Sequence, residues 1–328
     1  MPDYEKTKMI MGDAWHVIMF VVLVILLLGI VTWMGFVRCN QIPGWCQVYD
    51  PLYLSLTGKR EVLIVYGDDG IGNPQELQKR LRDPRIVGVI ADTTHISRVG
   101  AGNLQNYDLV IVERARTMST QQLQYFIDFV DAGGKLVWTG DAGTKMAAGD
   151  EQLFEDDLDV NAKHTALSPW ARRLGKNTVR FDTVISVAYL GNFCEMNTCG
   201  NKPTPIGNLL TESTGNHQLI YGLAANQLLY VGANDQLPLD FAVVKEPESI
   251  GSKRILTLDY GTVLKSKEGA DFGRYFPMIV TSGVGEKAAY YAQPPEMFLG
   301  TGFNYETNQT TLGQTNLFIA NLYKFFRK

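Results

Sequence analysis

The run from Val17 to Val37 carries no charged side chain, and its interior from Val21 to Leu28 is solidly aliphatic. As a helix rising ~1.5 Å per residue it reaches roughly 30 Å, the thickness of a bilayer's hydrocarbon core. A cleaved secretory signal has a shorter apolar region and ends in a small-residue site. Here the run ends Gly35-Phe36-Val37-Arg38-Cys39, with no such site. The expectation is an uncleaved signal anchor, a single-pass transmembrane helix at 17–37 in the cell membrane. Trp15, Trp33 and Phe36 lie near its ends, as aromatic rings do at membrane interfaces. Lys6 and Lys8 precede it and only Arg38 follows closely. That asymmetry puts residues 1–16 in the cytoplasm and the bulk of the chain outside.

The four cysteines fit an oxidising compartment. Cys39 and Cys46 are close in sequence, as are Cys194 and Cys199. Such spacing points to two local disulfides, although four cysteines allow three connectivities. A metal site needs more than this: neither spacing is C-x-x-C, and none of His16, His95, His164 and His217 stands near a cysteine. No metal or cofactor is expected.

A net charge of -4 leaves no basic field for nucleic acid, whose binding depends on neutralising phosphates. One N-x-[ST] acceptor for glycosylation is present, Asn308-Gln309-Thr310. The expected partners are the membrane itself and either a protein in the same membrane or envelope, or a surface glycan.

After a linker at 38–60, which contains Pro43, Gly44 and Pro51, strand and helix signals alternate. Glu61 to Tyr66 reads as a buried strand ending in Gly67-Asp68-Asp69-Gly70, and Asn73-Pro74 opens a helix through Arg82. Arg85 to Ala91 reads as a second strand, Ile96 to Leu104 as a weak helix, and Asp108 to Val112 as a third strand. Ser119 caps a helix whose Leu123, Phe126, Ile127 and Val130 share one face, stopped by Gly133-Gly134. Lys135 to Thr139 is a fourth strand. This alternation calls for an α/β fold with a mostly parallel sheet flanked by helices. Strand-like runs return at Val179 to Tyr189, Leu228 to Val231, Phe241 to Val244, Arg254 to Leu258, Met278 to Ser282 and Lys287 to Ala292. They predict extra β-hairpins in the C-terminal half before a closing helix, Gln314 to Phe326.

The segment Tyr107-Asp108-Leu109-Val110-Ile111-Val112, with Met118 to Leu123 and Phe129-Val130-Asp131-Ala132-Gly133-Gly134-Lys135-Leu136-Val137-Trp138, resembles the class I glutamine amidotransferase-like superfamily. Within it the likeness is to the branch of ThuA-like proteins and the membrane-associated GldG and intraflagellar-transport domains. Asn216 to Leu223, Met278 to Pro295 and the last helix are similar to later stretches of that branch. The resemblance covers residues 61–328 and implies one flavodoxin-like domain in which the region after Asp150 completes the sheet. It also implies a nucleophile at the sharp turn after the fourth strand, with a His and an acid nearby. This chain has Thr139-Gly140-Asp141-Ala142-Gly143-Thr144 there. Asp141 stands where the family's enzymes keep Cys, and a carboxylate cannot replace a thiolate in glutamine hydrolysis.

The expectation is therefore a catalytically inactive binding or assembly module, a pseudoenzyme on an extracytoplasmic domain. The alternative is an envelope-carbohydrate hydrolase with Asp141 and Glu113 as its carboxylates and His217 assisting. Ligands of such folds bind beyond the C-terminal strand ends, which makes Asp68, Asp69, Gly70, Gly140 and Asp141 the candidate binding residues. Asp141 itself is expected to be an exposed turn residue.

Overall fold

The computed structural model describes residues 2–34, 36–37, 39–57, 59–211, 217–223, 227–232, 238–245, 252–265, 269, 271–283, 285–298, 303–304, 309–310 and 314–327. Asn308 lies outside them. The chain forms two compact units, Met1–Gly58 and Lys59–Lys328.

The first unit is a pair of helices. Helix α1 spans Pro2–Trp33, and its stretch Trp15–Trp33 is long and apolar enough to cross a membrane, with 6% of that window buried. It differs from the expected 17–37 at both ends. The polar residues before Trp15 continue the helix, and the chain leaves it after Trp33. The segment 38–60, expected to be a linker, holds helix α2, Trp45–Thr57. Its aromatic residues recur every four positions, so Trp45, Tyr49 and Tyr53 form one stripe. That stripe turns toward α1: the Trp45 indole donates to the Thr32 hydroxyl at 2.9 Å, and the Trp33 and Tyr53 rings lie 5.9 Å apart. The Cys39–Cys46 disulfide closes the turn between the helices. Pro51 sits inside α2 without ending it; side-chain packing overrides the breaker signal.

The second unit is built on a nine-stranded sheet. Its parallel part uses β1 (Arg60–Tyr66), β2 (Ala91–His95), β3 (Tyr107–Glu113) and β4 (Lys135–Thr139). The antiparallel part uses β5 (Thr204–Thr211), β6 (Gln227–Val231), β7 (Lys253–Lys265), β8 (Asp271–Ser282) and β9 (Ala288–Tyr291). The order is β6-β5-β7-β8-β9-β4-β3-β1-β2. Strand β9 runs parallel to β4 and antiparallel to β8, so it joins the two parts. The inner strands are near-continuous apolar runs, as two covered faces require: Leu109 to Val112 and Leu136 to Trp138 are all buried.

Helices α3 (Pro74–Arg82), α4 (Thr120–Asp131) and α5 (Gln314–Phe326) pack on this sheet. Asn73 caps α3, its side chain accepting from the Glu76 amide, with Pro74 in the first turn. Ser119 and Gln122 form a reciprocal capping box on α4. Phe126 of α4 meets Trp138 of β4 edge-on at 5.1 Å.

Two expected strands moved. The second strand was expected at Arg85 to Ala91, yet Ile86 and Val87 donate back to Asp83 in a turn and the strand is Ala91–His95. Among the described residues it pairs with β1 alone, at the sheet's edge, so its polar Asp92, Thr93 and Thr94 need no apolar run. The run Val179 to Tyr189 is not one strand. Asn177–Arg180 pairs with Ala171–Leu174, a helical turn follows at Phe181–Ile185, and Ala188–Asn192 pairs with Ala242–Lys245. Ser186 at φ 54 ends that turn in the left-handed region.

Candidate functional site

A cleft of about 470 Å³ opens at the C-terminal ends of β1, β3 and β4. The loop after β1 supplies Gly70, Ile71, Gly72 and Asn73. The loop after β3 supplies Arg114 and Arg116, and the turn after β4 supplies Asp141. Asn192, Glu195, Pro238, Asp240 and Met297 close it from the C-terminal half.

The first two loops are stitched together by their backbones. Arg114 N–H donates to Ile71 O at 3.0 Å, Gly67 N–H to Arg114 O at 3.1 Å, and Arg116 N–H to Asp69 O at 2.9 Å. These bonds hold Arg114 at φ 50, a conformation that costs a side-chain-bearing residue energy and collects at functional surfaces. Gly70, at φ 112, has no room for a side chain: a Cβ there would stand 2.8 Å from Asp141 Oδ1.

Asp141 is not the exposed turn residue expected from sequence. It has 0% exposure. Its Oδ1 accepts the Ile71 amide at 2.8 Å and its Oδ2 accepts Asn192 Nδ2 at 2.8 Å, with Arg116 Nε 3.4 Å away. Burial still outweighs these donors and raises its carboxyl above the ordinary aspartate value. Arg116 in turn forks onto Glu195, at 2.5 and 2.9 Å. Glu195 is carried by the loop that the Cys194–Cys199 disulfide closes. Beside it, Asp240 Oδ1 accepts the amides of Cys194 at 3.0 Å and Phe241 at 2.8 Å. Burial pushes the Asp240 carboxyl up to about 7 despite those two amides.

The turn that bears Asp141 is locked on every side. Ala142 O accepts the indole N–H groups of Trp138 at 2.9 Å and Trp170 at 2.8 Å. Arg172, with 0% exposure, donates to Gly143 O and, at 2.6 Å, to Met118 O. The turn's own amides are committed as well: Gly140 N–H to Tyr291 O at 2.7 Å, Ala142 to Thr139 O at 3.2 Å, Gly143 to Ala115 O at 2.8 Å and Thr144 to Asp141 O at 3.1 Å.

The other candidates divide. Gly70 lines the cleft with Asp141. Gly140 lies behind it, its carbonyl accepting from the Tyr290 hydroxyl at 2.8 Å. Asp69 turns to Thr117, accepting from its amide at 3.1 Å and its hydroxyl at 2.8 Å. Asp68 points to solvent, its side chain 93% exposed and 3.3 Å from His95. His217 is not brought to Asp141. It bonds Glu286 at 3.0 Å, just before β9 begins, at the N-terminal end of the parallel strands. Glu113, fully buried, does not line the cleft. It adjoins Glu296, itself 2% exposed, and burial raises both carboxyls well above the ordinary glutamate value.

Arg116, Asn192, Glu195, Asp240 and Glu296 were not among the residues singled out from sequence. Glu296 left a readable signal, a lone acid in the apolar stretch Tyr290 to Phe298. Among the described residues all four cysteines are paired, and no three His, Cys, Asp or Glu side chains are grouped to hold a metal ion.

No protein-family model matches the sequence, and no curated protein matches it. Among solved structures the chain is similar to a ThuA-like protein from Bacteroides uniformis, at 16% identity and TM-score 0.48, over 81% of this chain and 91% of that one. It is also similar to a cold-adapted β-galactosidase from Rahnella sp. R3, at 15% identity and TM-score 0.47, over 81% of this chain and 31% of the enzyme. A third is α-L-fucosidase isoenzyme 2 from Paenibacillus thiaminolyticus, at 9% identity and TM-score 0.41, over 84% of this chain and 35% of the enzyme. The chain thus spans about a third of either glycosidase. What the site can do follows from its own residues.

Proposed function

We propose that this chain is a membrane-anchored, extracytoplasmic binding or assembly module on an amidotransferase-like fold that has lost its nucleophile. The turn from Gly140 to Thr144 carries the reading. Acyl-transfer chemistry there needs a Cys or Ser and free amides to stabilise an oxyanion. The turn instead holds a buried Asp141 whose oxygens are occupied, and the amides of Gly140, Ala142, Gly143 and Thr144 all have acceptors. What remains is a polar cleft with a charged rim, Arg114, Arg116, Glu195 and Asp240, suited to recognition. The apolar helix Trp15–Trp33 and the two disulfides support an anchor with the domain outside. A tether raises the effective concentration of anything held at the same membrane, so weak contacts suffice. The occupant in this reading is a protein partner in the envelope or a surface glycan.

A hydrolase of envelope carbohydrate is the second reading. Asp141 and Asp240, two raised carboxyls on one cleft, favour it. Glu113 no longer does, being buried beside Glu296 outside the cleft.

Affinity capture with the detergent-solubilised full-length chain tests the first reading. A stoichiometric partner retained by the parent and lost in Glu195→Lys supports it. Turnover of a glycan or amide by the parent that vanishes in Asp240→Asn overturns it. Topology is checked in intact cells with probe thiols at Asp3 and Lys328: the expected outcome is labelling from outside at Lys328 alone, and the reverse pattern removes the extracytoplasmic assignment.

A further inference from the structure

Beneath the cleft, β3 ends in Glu113 and the turn Pro295–Met297 presents Glu296. Both are buried, with 0% and 2% exposure, and they adjoin: Gly72 packs on Glu113, and the next residue, Asn73, donates its amide to Glu296. Neither oxygen of Glu113, nor Oε2 of Glu296, has a hydrogen-bond partner among the described residues. Glu296 Oε1 accepts the Asn73 amide at 3.0 Å. A buried carboxylate without a donor is costly, and two adjoining carboxyls have no donor between them unless one carries a proton. Removing that proton would leave two like charges side by side in a medium that solvates neither.

The charges that face the pair do not replace it. Arg114 acts on Glu113 from the loop after β3 but is itself exposed, and Arg80 acts on Glu296 from α3. Arg80 is already bound, by Glu76 at 2.8 Å and by Asn316 of α5 at 2.8 Å.

The pair's neighbours are the cleft's floor. Gly72 lies directly over Glu113, where a Cβ would come within 3.2 Å of the Glu113 Cβ. Asn73, which caps α3, hangs on Glu296 by its amide, and Met297 follows Glu296 in the chain. Gly72, Asn73 and Met297 all line the cleft.

We propose that Glu113 and Glu296 share one proton that latches the cleft floor, and that its loss in alkaline solution frees the Gly72–Asn73 loop and the Pro295–Met297 turn together. Glu296 is the member that moves. It sits in a short turn held by few bonds, whereas Glu113 is fixed by the sheet. The latch goes beyond the binding reading and does not depend on what occupies the cleft.

The test compares the parent with Glu113→Gln in the full-length, detergent-solubilised chain. A glutamine amide donates permanently to Glu296 and so imitates the shared proton. Melting is followed from pH 5 to pH 9, and hydrogen exchange is followed in peptides covering 70–76 and 294–298. The expected result is a parent that falls below the variant by roughly 3 °C or more at pH 9, with faster exchange in both peptides at once and no such change in the variant. Parallel melting curves, or exchange that accelerates equally in both proteins, overturn the latch. Glu296→Gln, which donates from the other side, must reproduce the effect. Should either variant misfold, infrared titration of Asp240→Asn, which removes the other carboxyl raised to about 7, decides instead: a neutral-carboxyl band persisting at neutral pH supports the shared proton, and its absence refutes it.

Discussion

The parallel strands carry a charged cluster at each end, and the two are built in opposite ways. At the C-terminal end Asp141 has 0% exposure and is bound by Ile71, Asn192 and Arg116, which come from three separate parts of the chain. At the N-terminal end Glu286 is bound by His217 and Lys253, and the Lys253 side chain is 63% exposed. Similar residue types thus serve different purposes. The first cluster fixes the walls of a cleft, and the second ties a hairpin to His217 at a part-buried position that water reaches on the Lys253 side. Burial rather than charge separates a site-forming ionic group from a surface one.

Truncation should expose that difference most strongly. Asp141→Ala strips the acceptor from a buried amide, a buried carboxamide and a guanidinium at once, and should cost about 3 kcal/mol or more. Glu286→Ala should cost less, about 1 kcal/mol, because Lys253 returns to solvent and only His217 is left partly covered without its acceptor. Denaturant melts of the two variants check this, and equal losses would erase the distinction between the ends.

Opening the Cys194–Cys199 loop probes the cleft end from its rim. The double change Cys194→Ser, Cys199→Ser should lower stability by about 2 kcal/mol on the loop-entropy model. Capture of the partner should weaken as well, because Glu195 is no longer held on Arg116. If stability falls while capture is unchanged, the rim takes no part in binding.

Smaller, but of opposite sign, are the pH responses. Burial pushes the Asp240 carboxyl up to about 7, so the folded state holds a proton there that the unfolded chain releases near pH 4. Its contribution is therefore present at low pH and declines as pH rises from about 4 to about 7. Burial alone would raise Glu286 too, but the hydrogen bonds and charges of Lys253 and His217 hold it below its ordinary value. Its contribution is present above the ordinary glutamate value and disappears as pH falls through the lowered one. Asp240→Asn should flatten the melting profile between pH 4 and 7, and Glu286→Gln should flatten it only on the acid side. Identical changes in slope would contradict the contrast.

What the sequence made legible follows the same line. The inner strands announce themselves because two covered faces demand apolar runs, as in Leu109 to Val112, and α4 shows its start because Ser119 and Gln122 are three apart. Local chemistry is readable. The edge strand β2 is not, since Asp92, Thr93 and Thr94 can be polar where only one neighbour pairs with them. Helix α2 hid behind Pro43, Gly44 and Pro51, its stability coming from packing against α1. A cleft opens at the strand ends to which the strand-end rule points, yet its composition was not readable, because Asn192, Glu195 and Asp240 arrive from far along the chain. No local pattern marks a carboxyl that will be buried by a distant segment.

The place of β9 bears on how the chain is made. Strand β4 must wait for its second partner until Tyr291 has been synthesised, about 150 residues after Thr139. Until then the growing polypeptide exposes a bare edge of apolar Leu136, Val137 and Trp138, the kind of surface that captures other nascent strands. Contacts so distant in sequence are also slow to form. Closure of the sheet therefore waits on the hairpin that carries β9, and an edge left bare that long is open to pairing with other chains.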